Sequence, residues 1–171
     1  MSPTASPSAS SASAAPSAAV AVDPSLLDVL PATVGGVPLR PDAETAAEIA
    51  ANPSIAPFVS SLAVATAFGP RASGSIGDYV VVTVARVKRG LFGDLFYRTW
   101  RRTFDDAVCQ RAGGVQGDAE ATIGGRQTFI GTCAGGVHTY HVHLQGQDVI
   151  VSMQGAGPTR FGEHVVEGLN E

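Results

Sequence analysis

The sequence predicts an α+β fold, with a mainly antiparallel sheet and helices packed on it. Two observations indicate the elements: short alternating or β-rich segments separated by glycine-containing turns, and apolar residues repeated every four positions. A third observation is the order of elements, β-α-β-β-α-β-β-β-β-α, in which hairpins outnumber crossovers. Hairpin-rich orders are typical of antiparallel sheets with helices packed against them.

Residues 1–25 precede the predicted domain, and we expect them to form a disordered linker. Residues 1–22 contain only Ala, Ser, Pro, Thr and Val after the initial Met. Without large side chains, such a tract buries too little apolar surface to offset the entropy cost of ordering. The folded part is therefore expected to be a single α+β domain at 26–171, which is long enough for one core.

Shorter helices are predicted near both ends of the domain, after an extended segment at 30–41. The segment 41–61 is rich in Ala, and Asn52 before Pro53 divides it into two helical pieces. The last helix begins near Pro158, with an apolar stripe formed by Phe161, Val165 and Leu169.

Six segments have the alternating or β-branched composition of strands. They lie at 62–68, 78–87, 117–123, 126–133, 137–144 and 148–153. Glycine-containing turns at 124–125, 135–136 and 146–147 separate the last four, and each suits a two-residue hairpin loop. The second half of the chain is therefore expected to contain a run of hairpins.

The clearest predicted helix has Asp94 as its expected N-cap. One stripe is apolar and consists of Phe96, Trp100, Phe104 and Val108. The charged residues are expected on the opposite side: Arg98, Arg101, Arg102, Asp105 and Asp106. The apolar stripe is predicted to cover the sheet, with the charged side in solvent.

The two cysteines, Cys109 and Cys133, are predicted to form a disulfide bond. A two-residue turn at 135–136 pairs Cys133 with His138 and places both on the apolar face of the sheet. The helix described above is expected to cover that face, and Cys109 lies at its end. Both cysteines should therefore meet at one edge of one interface.

Three of the four histidines lie within six residues, in the stretch HTYHVH. Strand alternation places His138 on the inner face and His141 and His143 on the outer face. A catalytic zinc usually has three protein ligands, and the expected cross-strand neighbours of the outer pair are aliphatic or hydroxyl side chains. We therefore expect half-exposed histidines, no metal and no other cofactor. A metal-binding protein or metal-dependent enzyme that uses His141 and His143 is the alternative.

The loop between the second strand and the clearest helix is a candidate interaction surface. In the stretch VKRGLFGD, the basic residues Lys88 and Arg89 are followed by the apolar residues Leu91 and Phe92. Such a combination suits a protein partner, an anion or lipid headgroups. The alternative is a solvated surface loop with no partner.

Composition and motifs argue against several classes of function. The net charge of −4 is unlike that of a nucleic-acid-binding domain, and no apolar run is long enough to span a membrane. The glycine-rich pieces match neither the P-loop nor the dinucleotide fingerprint, and no G-x-S-x-G motif occurs. No catalytic residue is therefore nominated, and a small-molecule hydrolase is a third hypothesis without a location.

Two stretches carry a resemblance to known proteins. LPATVGGVPL at 30–39, after its Ser/Ala/Pro lead, and RFGEHVVEGL at 160–169 resemble uncharacterised secreted or lipoprotein domains of actinobacteria and Chloroflexota. The order of elements also resembles the PsbP-like α/β/α sandwich, and the resemblance covers most of residues 28–170. It implies an extracytoplasmic, membrane-tethered domain without established catalytic residues.

These observations favour a non-enzymatic bacterial domain, secreted or at the cell surface, that binds a protein or a small-molecule ligand. An Ala/Ser/Pro tract ahead of a domain is what remains when an export signal or lipobox is removed, so an export signal upstream is expected. The tether would hold the domain near a membrane surface. No nucleic-acid partner is expected, and the protein is expected to be a monomer.

Overall fold

The structure is a computed structural model of the chain and describes residues 19–70 and 77–170. Within these residues the strands are β1 (Ala21–Val22), β2 (Thr33–Val34), β3 (Val37–Pro38), β4 (Arg40–Pro41), β5 (Val59–Phe68), β6 (Tyr79–Val87), β7 (Val115–Ile123), β8 (Arg126–Cys133), β9 (His138–Leu144) and β10 (Val149–Ala156). The α-helices are α1 (Ala43–Ala50), α2 (Asp94–Arg111) and α3 (Phe161–Glu167), and short 3₁₀ helices occupy Pro24–Val29 and Ala134–Gly136.

The main sheet has the strand order β1-β5-β6-β10-β9-β8-β7, and β4 also pairs with β5. Every pair is antiparallel except β1 with β5, which is parallel. Strands β2 and β3 form a separate hairpin. The predicted α+β fold with a mainly antiparallel sheet is confirmed.

The two faces of the sheet have different covers. On one, the α3 face, the helix α3 and the N-terminal 3₁₀ helix enclose a large apolar core that includes Leu26, Val82, Tyr140 and Met153. On the other, the α2 face, α1 packs over β5 and α2 packs over β7 to β10. The α2 face buries fewer apolar residues and includes the buried polar side chains of Thr139, His141 and Ser152.

A three-residue turn sets the register of β8 and β9. The Cys133 amide donates to the Val137 carbonyl at 2.9 Å, and the turn between them contains two glycines with positive φ. Thr132 therefore pairs with His138, so the predicted pairing of Cys133 with His138 is wrong by one residue. A slip of one residue exchanges the two faces of a strand, and α2 covers the face of β9 that was expected to be outward.

The predicted disulfide bond between Cys109 and Cys133 is confirmed. Cys109 lies near the end of α2, and Cys133 is the last residue of β8. The register error did not affect the disulfide prediction, because that prediction depended only on which β8 residues face the helix. Phe129, Gly131 and Cys133 do face α2, as alternation predicted.

Two predicted boundaries differ from those in the structure, the start of the domain and the start of α2. Val20 is buried and Ala21–Val22 pairs with β5, so the fold includes residues that were assigned to a linker ending at residue 25. Residues 1–18 lie outside the described residues. The N-cap of α2 is Gly93, one residue before the predicted cap, and Asp94 lies in the first turn, where a carboxylate interacts favourably with the helix dipole.

Candidate ligand-binding cleft

Helix α2 turns two charged residues toward the sheet that were expected to face solvent. The guanidinium carbon of Arg101 lies 3.4 Å from the ring centroid of Phe129, and Asp105 lies 2.9 Å from the imidazole of His141. Each follows directly after a residue of the predicted apolar stripe. Because neighbouring helical residues differ by about 100°, a stripe that packs on a sheet is wider than one i, i+4 row.

The first polar group beneath α2 is the paired cluster, which consists of Trp100, Asp105, Thr139, His141 and Ser152. His141 Nδ1 lies 2.9 Å from Ser152 Oγ, and His141 Nε2 lies 2.9 Å from Asp105 Oδ1. Trp100 Nε1 donates to Ser152 Oγ at 3.0 Å, and the Thr139 hydroxyl donates to Asp105 Oδ1. One arrangement of protons satisfies every bond: His141 donates from Nε2, and Ser152 donates to Nδ1.

The series Asp105–His141–Ser152 contains the residue types of a catalytic triad, but its geometry differs. Ser152 is fully buried and its oxygen already accepts the indole N–H of Trp100. Serine bonds Nδ1 and aspartate bonds Nε2, the reverse of the serine-protease arrangement. A nucleophile must reach its substrate, so this series supports the packing of α2 on the sheet and not acyl transfer.

The expectation that His141 is half-exposed is wrong, because the register places it beneath α2, where it is 1% exposed. His143, on the same face, is partly covered by the ring of Phe92, at a centroid distance of 3.5 Å. Both ring nitrogens of His141 have partners that are not metal ions. Across 19–70 and 77–170, no group of three or more His, Cys, Asp or Glu side chains is placed to hold a metal.

A cleft of about 940 Å³ lies between the first half of α2 and the ends of β8 and β9. This volume falls within the range of small-molecule sites, which is roughly 300–1,000 Å³. Aromatic rings and cationic groups line it together with His143: Phe92, Tyr97, Phe129, Arg98, Arg101 and Arg126. Two carboxylates, Asp94 and Glu120, also line it.

Tyr97 lies at the centre of one wall of this cleft. Its ring centroid is 5.6 Å from that of Phe92, 5.7 Å from that of Phe129 and 6.1 Å from that of His143. The guanidinium carbon of Arg101 lies 5.0 Å from the Tyr97 centroid. These five side chains therefore form one continuous wall of flat groups in mutual contact.

The second polar group beneath α2, the unpaired cluster, consists of Tyr97, Arg101 and His143 on this wall. Tyr97 Oη, Arg101 Nε and His143 Nε2 are buried and have no hydrogen-bond partner within the described part of the chain. Each such atom costs about 1–3 kcal/mol, and native proteins contain few of them. Three such atoms in contacting side chains indicate a place where another molecule supplies the partners.

Burial in the wall keeps two of these groups, Tyr97 and His143, neutral at neutral pH. Burial raises the pKa of the Tyr97 hydroxyl far above its ordinary value, and the nearby Arg101 offsets this only in part. Tyr97 is therefore a hydrogen-bond donor at neutral pH. Burial also lowers the pKa of His143, against the opposing charge of Asp148, so its imidazole is neutral at neutral pH.

The loop residues that were predicted as one interaction surface separate in the structure. Lys88 donates to the carbonyl of Ala56 at 2.6 Å, while Arg89 and Leu91 are exposed. Phe92 turns inward and lines the cleft. The four residues are thus divided between a surface loop and the wall of the cleft.

Sequence reasoning missed the residues that build this site, above all Tyr97, Arg101 and Phe129. The signal for them was the residue after each apolar position of α2, since Tyr97 follows Phe96 and Arg101 follows Trp100. With Tyr97 and Arg101 at those positions, the stripe of α2 that faces the sheet is wider and includes polar atoms. Predicting the site therefore required knowledge of the orientation of α2 about its own axis relative to the sheet.

Comparison with protein-family models, with curated proteins and with solved structures finds no match for this chain. No helix among the described residues is both long enough and apolar enough to cross a membrane. The cleft and its chemistry are therefore the basis for a functional proposal.

Proposed function

We propose that this domain is a non-enzymatic binding protein that takes a small molecule into the cleft between α2 and the ends of β8 and β9. The observation that carries the proposal is the unpaired cluster of Tyr97, Arg101 and His143 on the cleft wall. Buried polar atoms without partners cost free energy. A bound molecule that pairs with them recovers that cost, which is a reason for a fold to retain them.

The absence of an enzymatic role is also part of the proposal. The residues that resemble catalytic machinery, His141 and Ser152, are sealed beneath α2 and hydrogen-bonded to each other. The cleft is lined by arginines, aromatic rings and amides together with Asp94, Glu120 and His143, and its described lining contains no serine, threonine, cysteine or lysine that could act as a nucleophile. The contacts of His141 do not favour the metal-dependent alternative.

We propose in addition an extracytoplasmic location for the domain, either secreted or tethered at the surface of a bacterial cell. The disulfide between Cys109 and Cys133 supports this location, since disulfides persist mainly in oxidising compartments. The composition of residues 2–18, which are only Ala, Ser, Pro and Thr, supports a tether. The resemblance to secreted and lipoprotein domains with a PsbP-like sandwich agrees with both features.

The binding proposal is tested by fragment screening with two-dimensional ¹⁵N–¹H NMR on the full chain. The library contains neutral, cationic and anionic compounds in equal numbers. We expect hits whose chemical-shift changes concentrate at the cleft, around Tyr97, Phe129 and His143. A library without hits, or with hits that map to the α3 face, would contradict the proposal.

A matched pair of variants controls this screen. Gln145→Trp places an indole at an exposed position that lines the cleft, whereas Gln110→Trp places the same group at an exposed position near the end of α2. We expect the first variant to abolish the hits and the second to retain them. Equal binding by both variants would locate the ligand outside the cleft.

A further inference from the structure

The chemistry of the unpaired cluster defines the class of ligand. We infer that the cleft binds an aromatic monocarboxylate, whose carboxylate pairs with Arg101, Tyr97 and His143 and whose ring lies against the aromatic wall. This inference rests on the proposed binding function and specifies its ligand. It is carried by the donors, the charge and the shape of the cleft.

Arg101 Nε requires a hydrogen-bond acceptor, and the other two unpaired atoms can each donate to one. Arg101 Nε can only donate, and Tyr97 Oη keeps its proton because burial raises its pKa. His143 Nε2 donates in one of the two neutral tautomers. A carboxylate offers two oxygens with about four acceptor sites, and its planar edge matches the edge of a guanidinium group.

The lining carries charges of both signs. Arg98 and Arg101 line the cleft together with Asp94 and Glu120, while Arg126, which also lines it, donates to the carbonyls of Gly124 and Leu169. A ligand with a single carboxylate on Arg101 places only one negative charge near Asp94 and Glu120. A phosphate monoester carries close to two negative charges at neutral pH and would leave an excess beside Asp94 and Glu120.

The wall also selects a flat body for the ligand. Arg101 already stacks on Phe129 at 3.4 Å, and Phe92 stacks on His143 with an angle of 15° between the planes. Aromatic rings prefer offset-stacked or edge-to-face contacts with other rings, and guanidinium groups stack on ring faces. A ligand with an aromatic ring extends these contacts, which an aliphatic chain does less well.

Ligand entry requires the ring of Phe92 to move. The unpaired atoms have no contact with solvent, and Phe92 covers His143. Phe92 lies in the loop between β6 and α2, with Gly90 and Gly93 on either side. A Cβ at either glycine would meet no atom within 4 Å, so there is open space beside the backbone on both sides of Phe92.

The test is a calorimetric titration of the full chain with benzoate, benzamide, phenyl phosphate and cyclohexanecarboxylate. We expect benzoate to bind most tightly and each of the other three at least about tenfold more weakly. Benzamide lacks the charge, phenyl phosphate carries too much of it, and cyclohexanecarboxylate lacks the flat ring. Equal or tighter binding of benzamide or of phenyl phosphate would overturn the inference.

Variants test two of the three donors, Tyr97 and Arg101. Tyr97→Phe and Arg101→Gln should each weaken benzoate binding by about tenfold or more, as expected for hydrogen bonds to a charged group. Arg101→Lys keeps the charge but loses the guanidinium fork, so a partial loss is expected. The matched controls are Tyr140→Phe, on the α3 face, and Arg102→Gln, which is exposed on the same helix; both should bind as the native chain does.

The outcomes separate the two proposals. If neutral compounds bind in the cleft and benzoate does not, the ligand class is wrong and the binding function stands. If Arg101→Gln binds benzoate as tightly as Arg102→Gln does, the carboxylate does not pair with Arg101 and the inference fails. If no compound of the series or of the fragment library binds in the cleft, both proposals fail.

Discussion

His141 and His143 lie two residues apart on β9, on the same face of the sheet and beneath the same helix, yet their surroundings differ. Both ring nitrogens of His141 are hydrogen-bonded, as are Trp100, Asp105 and Ser152 around it. His143 instead stacks on Phe92, and its Nε2 has no partner in the part of the chain that the structure describes. Both sites are polar, but His141 is buried and His143 is half-buried, and the balance of donors and acceptors also differs between them.

The paired cluster depends on a close approach that one glycine permits. A Cβ at Gly131 would lie 3.0 Å from the carboxyl carbon of Asp105, which is tighter than ordinary contacts allow. Because β8 has no side chain there, Asp105 can reach both His141 and Thr139. Buried polar networks of this kind stabilise one packing arrangement when every member is satisfied. We therefore propose that the paired cluster serves stability and that the unpaired cluster serves binding.

The largest expected effect is at His141. His141→Ala leaves Asp105 and Ser152 without their partner in a buried site, and we expect it to lower the free energy of unfolding by about 3–5 kcal/mol. His143→Ala removes a stacking contact but orphans no partner, and should cost about 1 kcal/mol. Urea unfolding of both variants measures the difference. Equal losses would show that the paired cluster is not the stronger contributor to stability.

The next largest effect concerns the disulfide at the C-terminal end of α2. Replacement of Cys109 and Cys133 by Ala opens a loop with a sequence separation of 24 residues, and we expect a loss of about 3.5 kcal/mol in unfolding free energy. Hydrogen exchange should show faster opening around Asp105 than around Tyr97, because the bond lies beyond the paired cluster on the helix. Uniform loss of protection along α2 would contradict this local role.

A pair of single-atom changes compares the clusters directly. Ser152→Ala removes a hydroxyl that serves Trp100 and His141, and should lower the unfolding free energy by about 1–3 kcal/mol. Tyr97→Phe removes a buried hydroxyl without a partner, and should leave stability unchanged or raise it by about 1 kcal/mol. Thermal unfolding of both variants provides the measurement. A clear loss of stability in Tyr97→Phe would mean that its hydroxyl has a structural role.

Sequence patterns predicted the elements well because strands and helices have different periods. The disulfide was also predictable, since it required only the alternation in β8 and the length of α2. The length of one turn was not, because Gly135 and Gly136 suit both a two-residue and a three-residue loop. That single residue decided which face of β9 lies beneath α2.

The cleft was less accessible to prediction for a different reason. Its wall requires Tyr97 and Arg101 to turn toward the sheet, and the rotation of a helix about its axis depends on packing across the whole interface. A stripe of Phe96 and Trp100 predicts the average direction but not its width. Hydrogen-bond balance, which separates the two clusters, depends on distances between side chains that no local pattern contains.

The smallest expected effect is the pH dependence contributed by His143. Burial lowers its pKa below the ordinary value of 6.5 in the folded chain, with Asp148 opposing the shift. Just below pH 6.5 the unfolded chain therefore binds a proton at this residue that the folded chain does not, and the free energy of unfolding falls as the pH is lowered. The loss from this residue ends below its folded pKa, where both states are protonated. His143→Gln should flatten the stability profile between about pH 7 and pH 5. Chemical unfolding of the native chain and of this variant across this range measures the slopes, and an unchanged slope in His143→Gln would mean that the imidazole titrates alike in both states.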